Sequence, residues 1–92
     1  MQLGKIVGTV VATRKDDRLV GSKLMITQPL TAALEPRGDT LIAVDTVGAG
    51  VGEIVLYIVG SVAPFAVRKD DAPVDAAIVG IIDSVEYREG NG

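Results

Sequence analysis

Hydrophobic and polar positions along the chain fall into five short stretches, each closed by residues that favour turns. Residues 3–13, LGKIVGTVVAT, carry Ile6, Val7, Val10 and Val11, with Gly4 and Gly8 placed where a strand can bend tightly or a neighbour can come close. This pattern predicts a long, curved first strand. Residues 23–28, KLMITQ, predict a second, stopped by Pro29, which has no amide to donate to a sheet ladder. The run LIAVD predicts a third strand over residues 41–45, EIVLYIV a fourth over 53–59, and AIVGIIDSV a fifth over 77–85.

The connections are of different kinds. Residues 13–22, TRKDDRLVGS, are charged and end in glycine, as in a solvated hairpin connection. Residues 31–39, TAALEPRGD, read as a surface connection of mixed polarity. From Ser61 two readings stand side by side: a short helical turn capped by Ser61 with Pro64 inside its first turn, or an ordinary loop. Pro73 is likewise able to start a single turn, and YREGNG closes the chain as a polar tail over 87–92, after one domain over 1–86.

The most glycine-rich connection, GAGVG at residues 48–52, raises the question of a phosphate cradle. A dinucleotide fingerprint needs glycines that open a helix, whose N-terminal amides and partial positive charge hold the pyrophosphate. Here the following residues, Ile54, Val55, Tyr57, Ile58 and Val59, are β-branched or aromatic and favour a strand. The spacing is G-x-G-x-G, and no lysine follows in P-loop register. The glycines therefore read as a strand-to-strand turn that allows positive φ or close backbone packing.

In the fourth strand Ile54, Leu56 and Ile58 share one face, and Val55, Tyr57 and Val59 the other. The fifth sets Ile78, Gly80 and Ile82 against Val79 and Ile81. Strands apolar on both faces are normally buried on both. With too little helix to cover a sheet, one face fills a barrel interior and the other meets a neighbouring subunit. The expected fold class is all-β: a small five-stranded OB-like β-barrel with one short helical segment. Composition points the same way. A chain of 92 residues with 48% apolar content has more aliphatic surface than one small core can hide, since a domain of this size buries only about two thirds of its unfolded surface.

Charge and chemistry exclude more than they offer. Net charge is −3 and only Tyr57, Phe65 and Tyr87 are aromatic, so neither a basic stripe nor a stacking platform for nucleic acid is present. The absence of both cysteine and histidine removes disulfides, the usual zinc ligands, the thiol nucleophile and the usual neutral-pH base together. The opening residues have no long apolar run behind a basic start, which predicts neither a signal peptide nor a membrane span but a soluble, cytoplasmic protein. Asp45, Glu53, Asp75, Asp83 and Glu86 show no local ligand spacing and read as cap and turn residues, and Thr46 beside Asp45 as a turn hydrogen-bonding pair. Ser61 and Ser84 have no base and no G-x-S-x-G frame. No catalytic, metal or cofactor-binding residue is expected.

Taken together, LGKIVGTVVAT, KL followed by QPL, AVDTVGAGVGE and DAPVDAAIVGIID closely resemble the bacterial microcompartment vertex family, the pentameric shell proteins of carboxysomes and of ethanolamine- and propanediol-type organelles. The resemblance spans nearly the whole chain, with separated motifs in the right order and spacing. It implies an OB-like barrel whose five copies form a closed ring with a small central pore at the five-fold corners of a shell, beside hexameric and trimeric facet proteins. Thr46, Val47, Gly48, Ala49, Gly50, Gly52 and Glu53 match the family's glycine-rich motif, and Pro73, Val74, Asp75, Ala76 and Ala77 its second motif. The resemblance places both at subunit contacts or the pore. Where the family commonly carries G-S-S-A-R, this chain has Gly60, Ser61, Val62, Ala63 and Pro64, so no arginine role is carried over. Two other classes stand as alternatives: an OB-like module binding a small ligand or an oligonucleotide, and an enzyme working with carboxylates.

Overall fold

The computed structural model describes residues 1–13, 15–60, 63–66 and 74–88, with the backbone alone at 64 and 65. Five strands, β1 (Gln2–Val10), β2 (Lys23–Leu30), β3 (Leu41–Asp45), β4 (Ile54–Val59) and β5 (Ala76–Ile82), close into a barrel in the order β1-β2-β3-β5-β4, with β4 returning to β1. Every pairing is antiparallel except β3 with β5, which run parallel. This is the five-stranded, OB-like barrel that the strand pattern predicts. A single-turn helix, α1 (Ala63–Ala66), packs against β5, so the helical reading of that segment holds, while its Ser61 cap and the turn at Pro73 lie outside the described residues.

The interior of a five-stranded barrel is narrow, and large and small side chains share it. Ile6, Met25, Ala43, Ala49, Val55, Tyr57, Ala76 and Ile78 form one buried cluster, with Leu41 packed against it. Tyr57 is its largest member and is wholly buried. Its ring fits only because Gly4 faces it: a Cβ on Gly4 would lie 2.6 Å from Thr27 Cγ2 and 2.9 Å from Tyr57 Cε1. Close approach, one of the two roles that Gly4 and Gly8 suggest in the sequence, is thus the role of Gly4. The bend falls beside Gly8, where the β1–β2 register shifts and leaves Val7 as an unpaired, exposed bulge.

Three expectations are corrected. The second strand does not stop at Pro29 but pairs it with Gly4 and continues to Leu30. Pro29 turns its carbonyl away from β1, where it accepts the Arg37 amide at 3.0 Å, so its missing N–H faces a side on which the β2–β3 ladder has already ended at Thr27. The first strand ends at Val10 rather than residue 13, because Val10 opposite Leu24 is the last rung of the hairpin. In β5, Ile78, Gly80 and Ile82 do not share a face. A register shift pairs Tyr57 with Ile78 but Leu56 with Gly80, which leaves Val79 as a bulge. Ile78 therefore joins Tyr57 in the core, whereas Gly80 and Ile82 lie with Leu56 and Ile54 on the outer face. The β4 alternation itself is as predicted, with Val55 and Tyr57 buried and Ile54, Leu56 and Ile58 partly exposed outside.

Candidate functional site: the glycine-rich barrel end

Residues 46–53 leave β3 and cross one end of the barrel to start β4. Most of their amides have acceptors within the chain. Val47 N and Gly48 N donate to Asp45 Oδ1 at 3.0 and 3.2 Å, and Gly50 N donates to Glu53 Oε1 at 2.6 Å. Two carboxylates of the chain itself thus occupy the donors that a phosphate would need, and the loop is a turn rather than a cradle. The left-handed backbone at Gly48 and Gly52, with φ of 81° and 94°, explains why glycine stands at those two places.

The loop is tied to the barrel along its length. Gly52 N donates to Ile6 O at 2.7 Å and Ile6 N to Glu53 O at 3.0 Å, which extends the β1–β4 contact by one more rung. Ala49 points into the core and is fully buried, so it plugs this end of the barrel. Lys23 Nζ donates to Ala49 O at 3.3 Å and lies 3.8 Å from Asp45 Oδ2. The Asp45 side chain is only 2% exposed, so its charge is held by two amides and one cation in place of water. Thr46 does not pair with Asp45 through its hydroxyl, as its position suggested. It donates to Ile78 O at 2.6 Å, across to β5.

That bond brings the two sequence motifs together. Val44 lies opposite Ala77 and Asp45 opposite Ile78 in the parallel β3–β5 pair, so the second motif runs directly into the strand on which Thr46 is anchored. Gly60 N donates to Asp75 O at 2.8 Å, which fixes the approach of the second motif beside the end of β4. Ala76 and Ala77 are buried, Val74 is partly buried and Asp75 is exposed, while Pro73 lies outside the described residues. Leu41, Ile42, Val59, Gly60, Asp75 and Ala76 line a shallow groove on this side of the barrel. Its walls include Ile42 and Val59, both more than 40% exposed, and Val47 and Val51 are exposed on the glycine loop. Exposed apolar side chains thus lie on the first motif and beside the second.

Sequence reasoning missed Lys23, which is 26 residues away from its carbonyl partner and had no local signal beyond its place at the head of a strand. It also missed the polar knot at the opposite barrel end. There the Tyr57 hydroxyl donates to Gln2 Oε1 at 2.9 Å, Arg37 Nη2 donates to the same oxygen, and Arg37 Nε donates to Leu30 O at 3.2 Å. Burial pushes the Tyr57 hydroxyl above the ordinary phenol range, an effect that the nearby Arg37 charge partly offsets. Among the described residues no three Asp or Glu side chains come together as a metal site would require.

The family model described as ethanolamine utilisation protein EutN/carboxysome matches residues 1–83 of this chain. The chain belongs to the EutN/CcmL family. It is 52% identical over 86 residues to the bacterial microcompartment shell vertex protein GrpN of Rhodospirillum rubrum, a match covering 94% of this chain and 97% of that protein. It is 44% identical over 91 residues to the carboxysome shell vertex protein CcmL of a Synechocystis strain, covering 99% and 91% of the two chains. Among solved structures, the pentameric microcompartment shell protein GrpN from Rhodospirillum rubrum superposes with a TM-score of 0.86 at 50% identity, over 96% of this chain and all of that one. The resemblance read from separated motifs is therefore a family membership, and both motifs fall inside the matched EutN/CcmL region.

Proposed function

We propose that this chain is a shell vertex protein: five copies close into a ring that occupies the five-fold corners of a bacterial microcompartment. The observation that carries this reading is the near-complete match, in sequence and in fold, to a pentameric microcompartment shell protein. A layer of hexagonally packed tiles is flat or rolls into a tube, and it closes only where five-fold units replace six-fold ones. The task is geometric and needs no active site. The protein works without catalysis or cofactor, as one domain over residues 1–86 with 87–92 as its tail, and its partners are its own copies and the hexameric and trimeric facet proteins of the same shell.

The contacts between copies run through Thr46–Glu53 and Pro73–Ala77. Exposed Val47 and Val51 on the loop, with the groove beside Asp75 and Ala76, supply apolar surface that a single protomer leaves uncovered. A cyclic ring joins two different patches on each protomer, and the two motifs provide two patches. The oligonucleotide-binding alternative loses its central aromatic, because Tyr57 is fully buried in the barrel and has no face to offer a base.

Shells assembled from the facet proteins of the same gene cluster test the function. With this protein present they are expected to close into sealed polyhedra. Without it they are expected to be elongated or open and to leak small metabolites. Sealed polyhedra formed without it, and without another vertex protein, would contradict the assignment.

A further inference from the structure

The chain leaves the sheet at the glycine-rich end of the barrel. β5 pairs with β4 as far as Ile82, which lies opposite Ile54 where β4 begins. From Asp83 to Arg88 it joins no element and makes no hydrogen bond or ion pair with another described residue. This stretch nevertheless carries Val85 and Tyr87, the second of them 52% exposed. One exposed tyrosine needs no explanation by itself. At the same barrel end, however, a cleft of about 270 Å³ stands open where β1 runs out and β2 begins. Val10, Val11, Leu24 and Met25 give it an apolar lining, and Lys15 and Lys23 stand in it as cations. Lys23 reaches from there to Ala49 O on the glycine loop, so the cleft and the first motif adjoin. None of residues 83–88 lines it, so within one chain the arm and the cleft stay apart.

We propose that residues 83–88 are an arm exchanged between copies, which seats Val85 and Tyr87 in the β1–β2 cleft of the next protomer and sets its carboxylates against the lysines there. The inference rests on the vertex reading above. Local charge selects the partner. Over residues 9–25 the cations Arg14, Lys15, Arg18 and Lys23 outnumber Asp16 and Asp17, and over residues 83–92 the anions Asp83, Glu86 and Glu89 outnumber Arg88. Arg18 is taken by Asp16 at 2.8 Å and Lys23 stands 3.8 Å from Asp45, which leaves Lys15 with no partner among the described residues. Reach is sufficient too. Six residues in extended conformation span about 20 Å, close to the 22–23 Å width of the molecule, so an arm can pass from one barrel to the next. Every copy supplies one arm and one cleft, two different patches of the kind that a closed cyclic ring joins. Both lie at the barrel end that carries the glycine-rich motif, so the exchanged arm continues the contact already proposed there.

The chain has no cysteine, so an introduced pair reports on its own proximity alone. Val11→Cys at the cleft and Arg88→Cys beside Tyr87 both fall on exposed positions outside the core and leave folding intact. Treated with a short bis-maleimide, rings of this double variant should give a ladder of joined copies up to five on a denaturing gel. Arg88→Cys combined with Leu34→Cys, at the opposite end of the barrel, should give none. Links formed only within single chains, no links at all, or links equally strong to position 34 overturn the proposal. Tyr87→Ala should raise the concentration at which the ring dissociates about tenfold or more, the scale of one lost anchor. Lys15→Glu should weaken the ring less, and adding Glu86→Lys should restore part of that loss. A Tyr87→Ala ring as persistent on dilution as the wild type overturns the arm and leaves the vertex reading in place. A wild type that is monomeric throughout removes the vertex reading and the arm together.

Discussion

The two ends of the barrel are closed by opposite means. At the glycine end the chain seals itself with backbone: amides of Val47, Gly48 and Gly50 turn onto Asp45 and Glu53, and only Ala49 enters the core. At the other end long side chains do the sealing, with Tyr57, Gln2, Arg37 and Gln28 bound to one another and to carbonyls of the 29–38 segment. A seal made of backbone and small residues leaves a smooth surface on which Val47 and Val51 are exposed, and a second backbone can pack closely there. A seal made of long polar side chains satisfies itself. The difference accounts for glycine where the first motif crosses the barrel, while the second proposed contact runs along the groove between the start of β3 and the end of β4.

The sharpest way to break this comparison is to crowd each end in turn. At the glycine end, Gly50→Glu adds a side chain where only Glu53 Oε1, at 3.4 Å, is near, so the protomer should fold with little loss. In the ring the same charge would be buried without a partner, at a cost of several kcal/mol. Size-exclusion chromatography should therefore show a folded monomer, and an intact ring would remove the loop from the interface.

At the polar end the effect falls on the protomer. Gly4→Val drives a side chain into Thr27 and the Tyr57 ring, an overpacking expected to cost about 3 kcal/mol of stability in denaturant titration. Smaller losses distinguish the two seals. Asp45→Ala strands the Val47 and Gly48 amides and should cost about 2 kcal/mol, with faster amide exchange across 46–53. Tyr57→Phe removes one hydroxyl from a knot in which Arg37 still bonds Gln2, and should cost about 1 kcal/mol. If Tyr57→Phe were the more damaging, the assignment of the glycine end to its carboxylates would be wrong.

The smallest effect lies outside both ends, in the 11–22 connection. The Arg18 guanidinium and amide hold the exposed Asp16 carboxyl well below the usual carboxylate range. A depressed pKa favours the folded form above the ordinary carboxylate value of about 3.9 and loses that contribution as pH falls below it. Order in the turn at Asp17–Leu19 should therefore weaken only in strong acid, without change in the barrel, as amide chemical shifts would report.

What was legible in the sequence depended on how local its cause was. Residues 41–45 were predicted as a strand and form one, because the apolar run 41–44, with β-branched Ile42 and Val44, between polar flanks carries the signal. The β4 faces were equally plain. Gly8 marked the bend in β1, but the register shifts that leave Val7 and Val79 as bulges were not legible, since a shift belongs to a pair of strands. Pro29 was misjudged for the same reason: whether a missing amide matters depends on whether a neighbour stands on that side. Within the candidate site, the motif residues were visible as a pattern, but Lys23 and the hydroxyl bond from Thr46 to Ile78 join segments far apart in the chain and appear only once the barrel closes.

Native mass spectrometry of the wild-type protein at micromolar concentration tests the proposed ring most directly. A closed ring of five copies predicts a dominant species at five times the 9.5 kDa chain mass, persisting on dilution. A monomer, or a two-fold dimer with no five-copy species, would contradict it.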